Sequence, residues 1–258
     1  MSLSRWQKHI VQLRSRHLRK KSPYFLAEGL RCCFEALRLR PDWLEAVICL
    51  ESLPQQAAAG PFFTALAAAG IEPVCVSERQ FSDLAITETP QGLLCLLRRP
   101  APLELSLPLP FCLILDQLRE PGNVGSILRS AWAVGLKSVW LTNGSVDVYA
   151  PKVIRAGMGA QFALDMSYLP DLEQAVKQFK RLGGKQIWCA MPNAQKSLFE
   201  EDFCLLQGAL VIGNEALGVS QPELGQAIGI PMPGPAESLN AAQATTVFLF
   251  DALRRGIL

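Results

Sequence analysis

Gly213-Asn214-Glu215-Ala216-Leu217-Gly218, then Ile230-Pro231-Met232-Pro233-Gly234, then Glu237-Ser238-Leu239-Asn240, lead into an apolar segment that runs to Arg255. A buried strand needs a hydrophobic run and a core helix needs an apolar stripe. Here turn and polar residues break the pattern three times close together, as happens where backbone is shaped around a ligand. Gly213 follows the apolar run Ala209-Leu210-Val211-Ile212. That run reads as a buried strand, and a glycine at its end lets backbone approach a ligand with no Cβ in the way. Glu215 is a carboxylate beside the turn, and it also reads as an ordinary acid at a helix N-terminus. Ser238 and Asn240 precede the last helix, and capping by itself accounts for one of them.

Outward from this stretch the pattern alternates. Strands are expected at 111–115, 138–141, 162–164, 186–190 and 209–212, with a short one ending at Pro231. Helices are expected at 124–134, from about 151, at 172–182 and over 241–254. Strands separated by helices imply an α/β fold on a parallel sheet. Pro100, Pro102, Pro108 and Pro110 exclude a regular helix and mark residues 100–110 as an extended linker. Before it, residues 1–99 read as a smaller α/β domain. Helices are expected there at 5–20, 24–38 and 61–69, and strands at 46–50, 73–76 and 92–97. The larger domain takes residues 111–258.

Two further segments carry candidate chemistry. In Leu115-Asp116-Gln117-Leu118-Arg119-Glu120-Pro121-Gly122-Asn123-Val124-Gly125-Ser126-Ile127-Leu128-Arg129 a strand ends at Asp116 and a Pro-Gly turn follows. Asn123 is placed to cap a helix whose stripe is Val124, Ile127, Leu128 and Ala131, with Arg129 off that stripe. The plain reading is a capped helix with a surface arginine. The functional reading sets Asn123 and Arg129 beyond the carboxyl ends of the strands, where open α/β sheets bind ligands. In Pro151-Lys152-Val153-Ile154-Arg155-Ala156-Gly157-Met158-Gly159 the glycines do not make a dinucleotide fingerprint. Phe162 stands where the third glycine belongs, and no strand precedes the segment.

Of the 258 residues half are hydrophobic, which supports a large core. The net charge of +2 hides an asymmetry: residues 1–40 carry ten Lys/Arg against Glu28 and Glu35, so that segment is +8 and the remainder −6. Arg14, Arg16, Arg19, Lys20 and Lys21 form its densest part. A basic arm on an acidic body fits a nucleic-acid binder, and a solvated helix face is the alternative. The eight cysteines form no C-x-x-C pair and most sit in apolar runs, as small buried hydrophobes of a reduced cytoplasmic protein do. No apolar run approaches a membrane span. Both histidines lie in the basic arm, and no H-E-x-x-H, G-x-S-x-G or phosphate-binding loop is present, so no metal site is expected.

The segments at 111–131 and 209–255 resemble the SpoU/TrmH family of RNA ribose 2′-O-methyltransferases, of the SPOUT superfamily. The resemblance implies a deep C-terminal trefoil knot and an S-adenosylmethionine pocket built largely from main chain. By residue it puts cofactor contacts at Gly213, Ile230 and Leu239, with Met232 and Ser238 nearby. It makes Asn123 and Arg129 active-site residues, sets Glu215 and Asn240 beside them, and makes Arg155 a contact to RNA phosphate. The string Lys20-Lys21, Tyr24-Phe25-Leu26-Ala27-Glu28-Gly29, Glu35-Ala36-Leu37 is similar to the opening of the family's ribosomal-protein-like RNA-binding domain. A homodimer through the C-terminal domain is also implied. One departure is Asn240-Ala241-Ala242, where the family often has Asn-Val-Ser.

The expected activity is methyl transfer from S-adenosylmethionine to a ribose 2′-hydroxyl of structured RNA, ribosomal RNA ahead of transfer RNA. Two alternatives stay open. One is a non-catalytic RNA-binding or ribosome-assembly protein that keeps the fold. The other is transfer to a base nitrogen.

Overall fold

The computed structural model describes residues 3–102 and 104–258. In chain order the elements are α1 (Ser4–Arg14), α2 (Arg16–Lys21), β1 (Tyr24–Glu28), α3 (Leu30–Leu39), β2 (Leu44–Leu50), α4 (Gly60–Ala68) and β3 (Val74–Val76). Next come α5 (Glu78–Leu84), β4 (Leu93–Arg98), β5 (Cys112–Leu115), α6 (Pro121–Ala133), β6 (Ser138–Thr142), α7 (Pro151–Gly157) and α8 (Ala160–Ala163). The last are β7 (Asp165–Leu169), α9 (Leu172–Arg181), β8 (Ile187–Ala190), β9 (Ala209–Ile212), β10 (Gln226–Ile228) and α10 (Ala241–Arg254). Two compact units result. One is the chain up to Ala101 with Asp147–Phe162, and the other is Pro102–Val146 with Ala163–Leu258.

In the first unit a four-stranded sheet has the order β1-β4-β2-β3. β4 runs antiparallel to both β1 and β2, and β3 runs parallel to β2. Trp6, Ile10 and Leu13 of α1 recur at helical spacing and bury against Leu26, Ile48 and Leu96 of the sheet. The helix expected over 5–20 is broken at Ser15, whose ψ of 125° is extended. The helix expected from 24 is instead β1 followed by α3. Gly29 has φ 94°, which no helix tolerates, and Phe25, Leu26 and Ala27 are all buried, as befits a strand covered on both faces. α5 was not expected. Ser77 and Gln80 start it with a reciprocal capping box, a signal legible in Ser-Glu-Arg-Gln. Within the same unit, Tyr149 and Phe162 pack their rings 4.6 and 6.2 Å from Phe25. Arg99 makes a two-point ion pair with Asp147 at 2.7 and 3.0 Å.

The second unit is a six-stranded parallel sheet of order β10-β8-β9-β5-β6-β7. β5 and β9 lie at its centre. Their sequences, Cys-Leu-Ile-Leu and Ala-Leu-Val-Ile, are apolar throughout and fully buried, as strands covered by helices on both faces must be. From β5 the chain works outward through β6 to β7, then crosses to β8 and returns through β9 beside β5. The pair β5/β9 is therefore a topological switch point, where ligands bind beyond the carboxyl ends of strands. The strand expected at 162–164 is displaced to β7. Phe162 belongs to α8, and β7 is an edge strand whose Asp165 and Tyr168 face solvent, so hydrophobicity did not mark it. α10 occupies the span expected for it, beside α6, with the Ser130 and Thr246 hydroxyls 2.8 Å apart. Among the described residues no helix is long and apolar enough to cross a membrane.

Candidate cofactor and active site

A cavity of about 630 Å³ opens in the second unit where β8, β9 and β10 end. Its walls are Ala190–Pro192 after β8, Ile212–Ala216 after β9, Ile230 and Met232 after β10, and the first turns of α6 and α10. The expected cofactor residues Gly213, Ile230, Met232, Ser238 and Leu239 all line it, together with Asn123, Glu215 and Asn240. The strand expected to end at Pro231 stops at Ile228, and Ile230 and Met232 lie in the loop beyond. That loop leaves backbone free: among the described residues, Ile230, Met232 and Leu239 make no main-chain hydrogen bond.

Gly213 has no substitute. A Cβ there would lie 2.2 Å from both the Gly218 carbonyl carbon and the Val219 nitrogen. The chain leaving β9 passes against its own backbone five residues on, and only glycine permits that approach. Asn214 and Gly218 then exchange two backbone hydrogen bonds of 2.8 Å, which close the turn. Gly218, with φ 72°, makes the left-handed step.

Three amide and carboxylate side chains are joined at the cavity wall. Asn123 donates to Glu215 at 3.0 Å and accepts from the Asn240 amide at 2.8 Å. The Asn240 oxygen in turn accepts from the Ala242 and Gln243 amides and caps α10. The expectation that Asn123 caps α6 does not hold. Pro121 is the first helical residue and Glu120 holds the cap position, so Asn123 lies inside the first turn with its side chain committed to Glu215 and Asn240. Glu215 supplies the anion at this helix start, accepting from the Arg119 and Glu120 amides at 3.2 and 3.1 Å. Partial burial pushes the Glu215 carboxyl up. The bonds from Asn123 and from the amides of Glu215 itself, Arg119 and Glu120 outweigh that, and hold it below the ordinary carboxylate value. Glu120 and Glu215 are the only charged side chains among the described lining residues, so the cavity favours a cationic ligand.

The other expected residues lie elsewhere. Arg129 is exposed on α6, in a stripe with Gly122, Ser126 and Ala133. It does not line the cavity and makes no hydrogen bond or ion pair among the described residues. Arg155 belongs to the first unit, at a recess of about 100 Å³ shared with Glu28 and Thr87. In the basic arm, Arg14 donates to the Ser82 and Ala85 carbonyls and Arg19 to that of Leu13, so both spend guanidinium hydrogens inside the fold. Lys21 is exposed, and the side chains of Arg16 and Lys20 lie outside the described set. Asp116, Thr142 and Asn214 were not singled out in the sequence. Asp116 is fully buried at the end of β5, and a carboxylate directly after Leu-Ile-Leu was the available signal. No group of His, Cys, Asp and Glu that could hold a metal occurs among the described residues.

Comparison with known proteins agrees with this geometry. Residues 7–95 match a family model described as an MRM3-like substrate binding domain. The chain is similar to human mitochondrial rRNA methyltransferase 3, with 29% identity over 94% of this chain and 70% of the relative. It is similar to the Bacillus subtilis 23S rRNA (guanosine(2553)-2'-O)-methyltransferase RlmP, with 29% identity over 95% of this chain and 93% of that one. Among solved structures it matches the SpoU methyltransferase AviRb of Streptomyces viridochromogenes in complex with AdoMet, at TM-score 0.83 and 26% identity over 99% of both chains. A TrmH-family protein of Porphyromonas gingivalis matches at TM-score 0.80 and 30% identity, again over 99% of both. A model of the SpoU rRNA Methylase family matches residues 110–250, more than half of the chain, and with the parallel sheet and glycine-walled cavity in place, the chain belongs to that family.

Proposed function

We propose that this protein transfers a methyl group from S-adenosylmethionine to a ribose 2′-hydroxyl of ribosomal RNA. The observation that carries the reading is the joined set Glu215, Asn123 and Asn240 on the wall of a cavity whose charged residues, among those described, are all acidic. An acid-edged, partly apolar cavity with free backbone suits a sulfonium nucleoside, and Gly213, Ile230, Met232, Ser238 and Leu239 would hold it. When bound, S-adenosylmethionine supplies an electrophilic methyl group on a good leaving system. The residues of the chain must align an oxygen with that carbon and help the hydroxyl lose its proton.

Asn123 is oriented before any ligand arrives, because both ends of its amide are taken. Glu215 is a poor proton acceptor: its carboxyl is held low and accepts three hydrogen bonds. It serves to fix the first turn of α6, and the hydroxyl proton passes finally to solvent. A guanidinium group donates hydrogen bonds and accepts none, so the role of Arg129 is to stabilise alkoxide charge or hold the adjoining phosphate. Its exposure, with no partner among the described residues, leaves it available for RNA.

Residues 1–99 serve as the RNA-binding part, joined by the linker 100–110 to the methyltransferase part at 111–258. The substrate-binding model matched at 7–95 supports this. A homodimer through the C-terminal part is supported by Phe250 and Leu253, which α10 leaves 49% and 42% exposed. The threaded path of a knot rests on the resemblance to the SpoU family, whose model matches residues 110–250. A cytoplasmic setting is supported by eight cysteines that are all free.

The test is to incubate the protein with methyl-labelled S-adenosylmethionine and ribosomal RNA, then digest to nucleosides. A 2′-O-methylated nucleoside is expected. Label on a base would favour the base-nitrogen alternative, and label only on transfer RNA would redirect the substrate. Cofactor binding with no transfer to either RNA would favour the non-catalytic alternative.

A further inference from the structure

We propose that Asp116, which plays no part in the chemistry above, is a positioning residue that sets the loop Gly213–Gly218 against the cavity. The inference rests on the reading of that cavity as the S-adenosylmethionine pocket.

Asp116 is fully buried, and both of its oxygens are used. One accepts from the Thr142 hydroxyl at 2.8 Å and the other from the Ser220 amide at 2.8 Å. A strand end that only needed filling would carry an apolar residue, since burying a carboxylate is costly unless it is well paired. The partners explain its presence. Thr142 comes from the neighbouring β6, and its oxygen also accepts from the Gln117 amide at 3.0 Å. Gln117 has φ 54°, a left-handed backbone that non-glycine side chains rarely adopt, so it needs such support. The Gln117 carbonyl then accepts from the Asn214 side chain at 2.8 Å, and the Asn214 oxygen accepts from the Ala216 and Leu217 amides.

The loop after β9 is thus hung from two points. Its start hangs from the Gln117 carbonyl through Asn214, and its end hangs from Asp116 through Ser220. Between them lie Glu215, Ala216 and Gly218, which line the cavity together with Asn214 and the preceding Gly213. Asp116, Thr142 and Ser220 do not line it, so they act only through the loop. Releasing the end at Ser220, or the bend at Gln117, allows the loop to leave the one arrangement in which Glu215 also reaches the Arg119 and Glu120 amides.

Three variants test this. Asp116→Asn keeps the shape but loses one acceptor; Thr142→Val removes the hydroxyl that joins Asp116 to Gln117; Thr142→Ser keeps that hydroxyl. If the loop holds its competent arrangement about a tenth of the time, the apparent dissociation constant rises about tenfold. Asp116→Asn and Thr142→Val should each raise both Kd and KM for S-adenosylmethionine about tenfold or more. KM for RNA and kcat at saturating cofactor should stay within about threefold, and Thr142→Ser should restore cofactor affinity to within about twofold. A packing role alone predicts fewer active molecules at unchanged cofactor KM, with Val and Ser alike, and that pattern overturns the proposal. If Asp116→Asn does not fold, the threonine pair decides. Hydrogen exchange on the wild-type protein gives an independent reading, because the Gln117 and Ser220 amides should be as protected as those of β9, and fast exchange at both refutes the anchor. Wild-type protein that binds no S-adenosylmethionine in calorimetry refutes the pocket reading. Wild-type binding with unaltered variants refutes the anchor alone.

Discussion

Gly213→Ala is the most direct probe of the cavity wall. The added Cβ would sit 2.2 Å from the Gly218 carbonyl carbon and the Val219 nitrogen, whereas ordinary contact begins near 3.4 Å. The loop therefore has to retreat by about 1.2 Å, and the obstructing atoms are backbone, so no rotamer change absorbs it. Retreat would break the paired Asn214–Gly218 bonds or pull Glu215 away from Asn123. Overpacking of this kind costs about 1–3 kcal/mol of stability. A displacement of about 1 Å in a positioning element costs about a hundredfold in rate. The assay is calorimetric titration with S-adenosylmethionine, followed by single-turnover methyl transfer at saturating RNA. Weakening of cofactor affinity by at least tenfold is expected, with a further loss in the single-turnover rate. Wild-type affinity and rate in a folded Gly213→Ala protein would refute the close-approach argument and move the cofactor away from this turn.

Arg129→Ala should lower the single-turnover rate by about a hundredfold or more while leaving cofactor affinity unchanged, because Arg129 does not line the cavity. Its melting temperature should also hold, since the side chain is exposed and makes no bond among the described residues; lost stability with a normal rate would return it to a structural role. Glu215 has a lowered carboxyl pKa, so the stability it contributes is complete above its ordinary value of 4.5 and is lost as pH falls through the lowered folded value. In denaturant melts the gap between wild type and Glu215→Gln should narrow as pH is lowered from 7 to below 4.5, and a gap independent of pH would contradict the carboxylate clamp. Phe250→Ser with Leu253→Ser should shift light scattering from dimer to monomer at micromolar concentration, and a wild-type protein already monomeric and fully active would remove the dimer from the reading. Arg14→Ala should lower stability by about 1 kcal/mol, chiefly through the stranded carbonyl of buried Ala85, and leave the salt slope of RNA binding unchanged. Lys21→Ala should do the reverse.

Several features were legible in the chain because they depend on local pattern. The spans of β9 and α10 follow from an unbroken apolar run and from a helical stripe behind Asn240. The long Pro-Gly-Asn segment marks the start of α6 to within a few residues. Other elements were hidden because local pattern misleads there. Tyr24–Glu28 is apolar enough for either state, and its pairing with Leu94–Arg98, seventy residues away, decides for strand. β7 is a strand through its partner β6, although two of its five residues face solvent and only one is buried.

Sequence by itself determined the α/β class, the position of the glycine-bearing loops and the residue types around the cavity. Each of these is a matter of composition and short-range periodicity. Only the tertiary structure decided what those residues touch. Asn123 meets Glu215 across 92 residues and Asn240 across 117, and Asp116 meets Ser220 across 104. Such partners are fixed by strand order, which places β9 beside β5 and brings the loops after them into one cavity. Periodicity reports which face of an element is buried but carries no information about its neighbour. For that reason Asn123 looked like a helix cap, Arg14 like a free cation and Asp116 like the end of a strand.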